Sequence, residues 1–394
     1  MSEWKKVPIK DVCVGIYDGP HATPPVSETG GIFLGISNIT KDGHFDFSSI
    51  KYIGDDYMPK WTKRVTPQKD DIVFSYEATL NLYAVIPDGF YGCLGRRMAL
   101  IRTNKQLVNH KYLFYYFFSK NWRNLISEKT IVGATVDRIP IATFPDFEIE
   151  LPSLDVQNKI ATILSRYDSL IENYQKQIKL LEESAQRLYK EWFIDLRFPG
   201  HENTKIVNGV PEGWEKKKIT ELVNVQYGYA FDGKLFNSNS EGMPILRIRN
   251  IPDGITSDYT TEEASADYVV HNGDIVVGMD GIFHINTWSG GDAYLVQRAC
   301  SFRPIEEVIK GFIFLAIKEP IKYFEQTLVG STVAHLGKKH IDSIEILVPN
   351  RKELFKSLQD IFNQRQNMLY QIRHLTEARD RLLPKLMSGE IKIN

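Results

Sequence analysis

Short clusters of basic side chains are the residues of this sequence best suited to a chemical role. They are Lys60-Trp61-Thr62-Lys63-Arg64, Arg96-Arg97, Arg247 with Arg249, and Lys338-Lys339. Arginine can hold a phosphate or contact guanine through two hydrogen bonds, and asparagine such as Asn250 can contact adenine. Because Arg247 and Arg249 alternate with Ile248, we expect them on one face of a strand. Taken one at a time, each cluster is better explained as an ordinary solvated surface.

No catalytic motif accompanies these clusters. The sequence has no GxxxxGK[ST] phosphate loop, HExxH helix, GxSxG turn or Cys/His cluster with zinc spacing. It also lacks a Gly-rich turn for a methyl donor and the Asn/Asp-Pro-Pro-aromatic tetrad that amino-methyltransferases use to hold a flipped base. His335 and His340 flank a basic loop and are expected at the surface, as are the acidic pairs at 55–56 and 70–71. We therefore expect no catalytic residue, no metal ligand and no cofactor bound by this chain.

Composition limits the class of protein. The 394 residues are 43% hydrophobic and 25% charged, which is typical of a folded chain of two or three domains and excludes a disordered or collagen-like protein. No apolar run reaches the roughly 20 residues of a membrane span, no secretory signal is seen, and three isolated cysteines suggest a cytoplasmic protein. A net charge of −1 means that any nucleic-acid face must come from segregation of charge within a domain.

The most informative feature is that the second half of the sequence repeats the first. Six segments return in the same order, among them residues 4–9 as 214–219, 71–73 as 274–276, and 133–136 as 330–333. Each half begins with a globular part that mixes short β-rich runs with Gly, Pro, Asn and Asp. The expected fold class is α+β, with two α/β globular domains in an internal two-fold repeat.

A long helix is predicted after each globular domain. Apolar residues recur at alternating steps of four and three over residues 160–192, which specifies the heptad seam of a coiled coil. The same frame covers residues 358–386, with Arg365 and Arg379 at seam positions and with Pro384 expected to kink or end the regular part. We expect the two helices to form an antiparallel coiled coil; the alternative is that each packs only on its own domain.

These patterns also predict the domain boundaries. They are 1–152 for the first globular domain, 153–197 for the first helix, 198–211 for a linker, 212–349 for the second globular domain and 350–394 for the second helix.

Four stretches carry a specific resemblance to a known family. They are WFIDLRFPG at 192–200, PEGW at 211–214, GSTV at 330–333 with ILVP at 346–349, and RDRLLPKLMSGEI at 379–391. In order, they resemble the central junction, the start of the second domain, the domain exit and the C-terminal end of the specificity (S) subunit of type I restriction–modification systems. The two-copy plan extends this resemblance over the whole chain, and the first copy departs at residues 133–136, where Ala134 replaces serine.

The resemblance implies a non-catalytic, DNA-binding subunit. Each globular domain would be a target-recognition domain that reads one half of an asymmetric bipartite site in double-stranded DNA. The helices would set the spacer between the half-sites and dock two modification (methyltransferase) subunits that methylate adenine at N6. S-adenosylmethionine, ATP and Mg²⁺ are expected on partner subunits, and a restriction or translocase subunit could join the complex. Because the chain is nearly neutral, tight DNA binding is expected to require the modification subunits.

The family's DNA-reading residues do not transfer by motif, so the candidate contacts rest on chemistry and on paired positions. In the first domain they are Lys60, Lys63, Arg64, Tyr76, Arg96, Arg97, Thr135 and Arg138. In the second domain they are Arg247, Arg249, Asn250, His284, Arg298, Thr332, Lys338 and Lys339. Lysine and paired arginine are expected to hold phosphates, whereas Tyr76, Arg249 and Asn250 could reach base edges.

Two other hypotheses stay open. The first is a coiled-coil adaptor whose duplicated domains bind protein rather than DNA. The second is an enzyme of an unrecognised kind with duplicated active sites. Exchanging the first domain for that of a related chain distinguishes a DNA reader from an adaptor, and a repeated, solvent-accessible acid–base set in the structure would favour the enzyme.

Overall fold

A computed structural model describes residues 4–133, 136–328 and 334–393. The chain divides into two compact units, one formed by Met1–Ser169 with Glu377–Asn394 and the other by Leu170–Thr376. Each unit therefore contains a globular part and a portion of each long helix.

The first half of the chain alternates short strands with helices. Its strands are β1 (Lys5–Pro8), β2 (Cys13–Asp18), β3 (Gly31–Leu34), β4 (Tyr52–Ile53), β5 (Ile72–Ser75), β6 (Tyr83–Val85), β7 (Gly92–Leu94), β8 (Met98–Thr103) and β9 (Glu148–Leu151). Its helices are α1 (Met58–Trp61), α2 (His110–Tyr116), α3 (Lys120–Lys129) and the long α4 (Leu154–Tyr189).

The second half follows a similar order with additional short elements. Its strands are β10 (Ile206–Val207), β11 (Val210–Pro211), β12 (Trp214–Lys218), β13 (Val223–Tyr227), β14 (Phe236–Asn237), β15 (Met243–Leu246), β16 (Tyr259–Thr260), β17 (Val269–Val270), β18 (Ile275–Gly278), β19 (Ile285–Thr287), β20 (Ala293–Leu295), β21 (Ala299–Pro304) and β22 (Glu345–Pro349). Its helices are α5 (Lys310–Ala316), α6 (Lys318–Thr327), α7 (Lys338–Asp342) and the long α8 (Glu353–Met387).

The sheets of the two units have matching topology. In the first unit, β1 pairs with β9, a four-stranded antiparallel sheet has the order β2-β8-β5-β6, and a small sheet has the order β4-β3-β7 with β3 and β7 parallel. In the second unit, β12 pairs with β22 and the four-stranded sheet is β13-β21-β18-β19. The third sheet has five strands, in the order β14-β16-β15-β20-β17, and its middle part β16-β15-β20 again contains one parallel pair, β15 with β20. The internal repeat predicted from the sequence is confirmed at the level of strand pairing.

Aromatic side chains form much of the core of the first unit. Phe74 of β5, Tyr83 of β6 and Trp122 of α3 are fully buried. The indole N–H of Trp122 donates to the hydroxyl of Tyr83 at 2.8 Å, so this polar pair is satisfied inside the core. Burial raises the pKa of Tyr83 well above its usual value and keeps the phenol neutral.

Each long helix is tied to its own domain by a buried glutamine. Gln157 of α4 accepts a hydrogen bond from the backbone N–H of Asn109, just before α2, at 2.9 Å. Gln359 of α8 accepts one from the backbone N–H of Gly311, in the first turn of α5, also at 2.9 Å. Backbone donors at the start of a helix have no partner within it, so each glutamine satisfies a group that would otherwise be buried unpaired.

The two long helices also pair with each other, and the antiparallel coiled coil predicted from the heptads is confirmed. In the first unit, Nη1 of Arg379 donates to Oδ1 of Asp168 at 2.7 Å. In the second unit, Nε of Arg365 donates to Oε1 of Glu182 at 2.6 Å. Between the two contacts, the residue number rises on α4 from 168 to 182 and falls by the same amount on α8 from 379 to 365, as it does in an antiparallel pair. The two polar interruptions of the α8 seam are therefore both paired with α4 carboxylates.

The helix ends differ in two details from the sequence prediction. A π-helical turn at Lys190–Ile194 follows α4, so Phe193 is buried there while the predicted seam residue Trp192 is only partly buried. An extra residue in a turn shifts the side-chain period, which the heptad count could not anticipate. The regular part of α8 does not end at Pro384 but continues to Met387. Within the described ranges, no helix is long and apolar enough to cross a membrane.

Candidate nucleic-acid interface

In the first unit, three chain segments meet at the end of the central strand β5. The backbone N–H of Tyr76 donates to the carbonyl of Arg97 at 3.2 Å, and the N–H of Ile139 donates to the carbonyl of Tyr76 at 2.8 Å. These bonds bring the arginines that precede β8 and the exposed Arg138 beside the residue that follows β5. We call Tyr76, Arg96, Arg97 and Arg138 the first basic cluster.

The side chains of the first basic cluster are held in different ways. Tyr76 is 5% exposed and its hydroxyl donates to the carbonyl of Arg96 at 3.0 Å. Burial, reinforced by the carboxylates of Asp18 and Glu77, raises the pKa of Tyr76 to about 12, so the phenol stays neutral. Nε of Arg97 lies 3.5 Å from Oε2 of Glu77, which is an ion pair rather than a hydrogen bond.

A surface groove of about 350 Å³ lies next to the first basic cluster. Its lining includes Phe33, the turn that begins at Gly35, and Arg96 with Arg97. The floor depends on Gly95, because a Cβ atom there would lie 2.6 Å from the carbonyl oxygen of Leu34. The groove therefore presents an aromatic ring, backbone atoms and two guanidinium groups on one surface.

The second unit repeats this arrangement at the end of β18. The backbone N–H of Met279 donates to the carbonyl of Arg298 at 2.8 Å, and the N–H of Leu336 donates to the carbonyl of Met279 at 2.7 Å. Nη1 of Arg298 lies 3.1 Å from Oδ2 of Asp280, and Nδ1 of His335 lies 2.6 Å from Oδ1 of the same carboxylate. We call Asp280, Arg298 and His335 the second cluster.

Backbone pairing makes the two clusters equivalent position by position. Glu77 pairs with Arg138 in an isolated bridge, and Asp280 pairs in the same way with His335. A carboxylate, an arginine and a second basic side chain thus recur in both units. They do not form a repeated acid–base set, because arginine stays protonated and only the second unit has a histidine at the third position. These two clusters therefore do not favour a duplicated enzyme.

The other candidates of the first unit lie apart or are paired. Arg64 forms an ion pair with Asp18, whose carboxylate also acts on Tyr76. Lys60 and Lys63 are exposed, and Nζ of Lys60 lies 5.0 Å from the ring centre of Trp61. The structure therefore links Arg64 to the first basic cluster and leaves both lysines on the open surface. Thr135, like Thr332 in the second unit, lies outside the described residues.

The prediction that Arg247 and Arg249 share a strand face is wrong. Strand β15 ends at Leu246, and Ile248–Asn250 form a 3-10 turn. The cause is Asn250, whose side-chain oxygen accepts from the N–H of Arg247 at 2.9 Å and closes the turn. Local side-chain chemistry thus overrides the alternation of residue types.

The remaining candidates of the second unit are mostly engaged within the fold. Arg249 forms a forked ion pair with Asp258, with contacts of 2.6–3.1 Å. The guanidinium of Arg247 lies 5.3 Å from the ring centre of Phe236. His284 is partly buried and its backbone carbonyl accepts from Gly278. Lys338 and Lys339, at the start of α7, are exposed and form no ion pair with any described residue.

Sequence reasoning missed the acidic members of the clusters. Glu77 and Asp280 were not singled out, and His335 was assigned to an ordinary surface. A usable signal existed, because Glu77 lies five residues after Ile72 and Asp280 lies five residues after Ile275, at the start of the repeated central strands. Among the residues that the structure describes, no three His, Cys, Asp or Glu side chains are placed to hold a metal ion.

Comparison with known proteins gives consistent similarities. The family model for the type I restriction modification DNA specificity domain matches residues 1–183 and 211–372. The MjaIX type I restriction enzyme specificity subunit of Methanocaldococcus jannaschii is 30% identical over 309 residues, covering 73% of this chain and 71% of the relative. The EcoBI specificity subunit of Escherichia coli is 27% identical over 185 residues, covering 46% of this chain and 38% of that protein.

A solved structure has the same fold. The crystal structure of a type I restriction–modification S subunit from M. genitalium is similar with a TM-score of 0.56 at 18% sequence identity. The similarity covers 97% of this chain and 96% of that one. The likeness thus includes both globular parts and both long helices.

Proposed function

Because the chain belongs to the family of type I restriction–modification DNA specificity subunits, we propose that each globular domain reads one half of a bipartite DNA site. As a specificity subunit, the chain is a non-catalytic part of a type I restriction enzyme complex that binds DNA. The target-recognition domains are residues 1–152 and 212–349. Equivalent positions of the two clusters carry different side chains, Arg138 and His335, so the two half-sites are expected to differ.

The observation that carries the proposal is the recurrence of a basic cluster at the same loop of both domains. Base edges are read by side chains presented from fixed loops, and arginine is the side chain most often used for guanine. Arg97 and Arg298 occupy backbone-equivalent positions, which the paired hydrogen bonds of Tyr76 and Met279 define. A duplicated domain that uses one loop for one task explains this recurrence directly.

The environment of each candidate suggests a division of roles. Tyr76, Arg249 and Asn250 use their polar groups within the fold, so we assign base reading to Arg97 and Arg298 instead. The exposed basic candidates that form no ion pair within the described part of the chain are assigned to phosphate. They are Lys60, Lys63, Arg96, Arg138, Lys338 and Lys339. Arg64 is an additional phosphate candidate once DNA competes with Asp18.

We assign the spacing and docking roles to the helices 153–197 and 350–394. A pair of helices about 50 Å long can separate two half-sites by a fixed length. Two modification subunits would dock on this pair, bring S-adenosylmethionine and methylate adenine at N6, and a restriction subunit with ATP and Mg²⁺ could join them. This chain has an overall charge of −1, so alone it is expected to bind random DNA weakly.

Sequencing the methylated bases of the host, with and without this gene, tests the proposal. We expect deletion to remove one asymmetric, bipartite N6-methyladenine motif. Replacing residues 1–152 by the corresponding domain of a related chain should change one half of that motif and leave the other half and the spacer unchanged. An unchanged methylome, in a host that expresses this gene and its modification subunit, would refute the DNA-reading role.

The exchange also separates DNA reading from a protein-binding adaptor. An adaptor would alter partner capture after the exchange without altering any methylated sequence. A complex of nanomolar affinity between the isolated chain and random DNA, insensitive to salt, would contradict the expected dependence on modification subunits.

A further inference from the structure

A carboxylate accompanies the candidate base-reading arginine in each domain. Glu77 lies 3.5 Å from Arg97, and Asp280 lies 3.1 Å from Arg298. The two acids are equivalent by backbone pairing, because Glu77 bridges to Arg138 as Asp280 bridges to His335. Both acids are partly shielded, with 27% and 19% of their side-chain surface exposed. An acid at this place is costly in a surface that must approach phosphates, so its recurrence calls for a role.

We propose that Glu77 and Asp280 are positioning residues that aim Arg97 and Arg298 at a base edge. This inference rests on the proposed function. The carboxylate of Glu77 contacts Nε of Arg97, which leaves both Nη groups for a bidentate contact with guanine. In the second domain Asp280 contacts Nη1 of Arg298 and leaves Nη2 and Nε for the contact with the base. Each acid thus attracts one edge of a planar, five-donor group by charge, and this attraction favours one direction for the other edge.

The same pairing reduces attraction to DNA of the wrong sequence. A paired arginine adds little net charge, so a phosphate gains less from it than from a free arginine. A correctly placed guanine still offers two acceptors to the edge that the acid leaves open, Nη1 and Nη2 in Arg97 and Nη2 and Nε in Arg298, without displacing the acid. The acids therefore favour base reading over phosphate binding at these two positions.

Backbone geometry supports an aiming role in the second domain. Arg298 has a φ of 70°, in the left-handed region that residues with a Cβ rarely adopt. The turn that joins β20 to β21 accounts for this conformation, because the N–H of Ala299 donates to the carbonyl of Val296 at 3.3 Å and closes it around Arg298. The carbonyl of Arg298 accepts from the N–H of Met279, and the guanidinium lies beside the carboxylate of Asp280. The backbone of the arginine is therefore fixed, while its side chain is 68% exposed and open to DNA.

The test uses the full chain in complex with its modification subunits and compares Glu77→Gln with Asp280→Asn. Both changes keep side-chain shape and remove the charge. We expect Glu77→Gln to relax the preference at one base of one half-site, and Asp280→Asn to relax one base of the other half-site. Because the arginine is retained, the preference should fall by no more than the roughly 5- to 150-fold discrimination that one good bidentate contact provides. Binding to random DNA should become tighter and more dependent on salt.

Each variant serves as the control for the other. A purely structural role would lower methylation at all sites without changing the motif, and this outcome would overturn the inference. Relaxation of both half-sites by a single variant would also overturn it. The motif is read only from folded, active complexes, so partial loss of folding does not disguise the result. If one variant does not fold, the other domain still provides an independent test.

Arg97→Ala and Arg298→Ala distinguish failure of this inference from failure of the proposed function. If these variants change their half-sites while the acid variants do not, the domains read DNA but the acids do not aim the arginines. If neither the arginine variants nor the domain exchange alters any methylated motif, the proposed function itself fails.

Discussion

Replacing Asp168 by asparagine is expected to destabilise the first unit strongly. The carboxylate of Asp168 accepts hydrogen bonds from Nη1 of Arg379 and from the hydroxyl of Tyr115. The Asp168 and Arg379 side chains are only 15% and 11% exposed, so water solvates neither charge well. Asparagine keeps the shape but removes the negative charge that offsets the guanidinium, and it has one acceptor oxygen in place of two.

The expected cost follows from burial. Removing one partner of a buried ion pair typically costs about 3–5 kcal/mol. Arg379 also contacts Asp380 at 2.9–3.0 Å, but that carboxylate is 59% exposed and replaces little of the lost interaction. We therefore expect a loss of about 3 kcal/mol. For a unit of about 200 residues, this lowers the midpoint of thermal unfolding by roughly 6–12 °C.

Glu182→Gln is the matched control. Glu182 forms the corresponding ion pair with Arg365 in the second unit, but it is 38% exposed and Arg365 also donates to Thr287 and Asn286, so its removal should cost only about 1 kcal/mol. Urea denaturation of both variants gives the two losses. Equal losses would refute the reasoning that burial of the carboxylate sets the strength of the pair. Combining Asp168→Asn with Arg379→Met should recover most of the loss, because no uncompensated charge is left.

Four further substitutions, in three experiments, test other parts of the structure. Ala78 (φ 68°) and Gly281 (φ 70°) occupy the same left-handed position in the two units. In thermal denaturation, Gly281→Ala should lower the free energy of unfolding by about 1 kcal/mol, whereas Ala78→Gly should leave it unchanged or raise it. The opposite order would contradict this reasoning. Tyr83→Phe removes the buried acceptor of the Trp122 indole N–H and should cost about 1–3 kcal/mol in urea, whereas a loss near zero would argue against a buried bond. Folding raises the pKa of Tyr76 to about 12, above the value of about 10 in the unfolded chain. The neutral phenol therefore contributes fully to stability below pH of about 10, and this contribution is lost as pH rises toward 12. Tyr76→Phe should remove that part of the alkaline loss of stability, and an unaltered pH profile of unfolding would be inconsistent with it.

The repeat and the helix pair could be predicted from sequence because both depend on patterns that extend over many residues. A single residue that departs from such a pattern does not obscure it. Residues 4–9 and 214–219 match in sequence, and the strands within them, β1 and β12, pair with the equivalent strands β9 and β22. The heptad seam extends over many turns, so a single departure such as Pro384 does not change the outcome. Prediction is strongest where many weak signals point to the same element.

The geometry of the clusters could not be predicted in the same way. Arg247 and Arg249 alternate as strand residues do, yet one hydrogen bond from the backbone of Arg247 to Asn250 closes a turn. Glu77 and Asp280 look like loop acids until β5 and β18 are paired with β8 and β21, which brings arginines far along the chain beside them. Contacts between distant segments depend on strand register, and no single stretch of sequence contains that register.

The two arginines in the α8 seam also restrict the long helices to one register. If α8 slid along α4 by one heptad in either direction, the apolar seam would still close, but Arg365 would face Gln175 or Tyr189. Arg379 would then face Ala161 or Gln175. Neither slipped alignment places a carboxylate at these positions of α4, so Arg365 would lose its ion pair and Arg379 would keep only the exposed Asp380. A lineage that changed the length of this helix pair by sliding one helix along the other would have to relocate two acids at once. Insertion of matched turns in both helices would instead preserve both ion pairs.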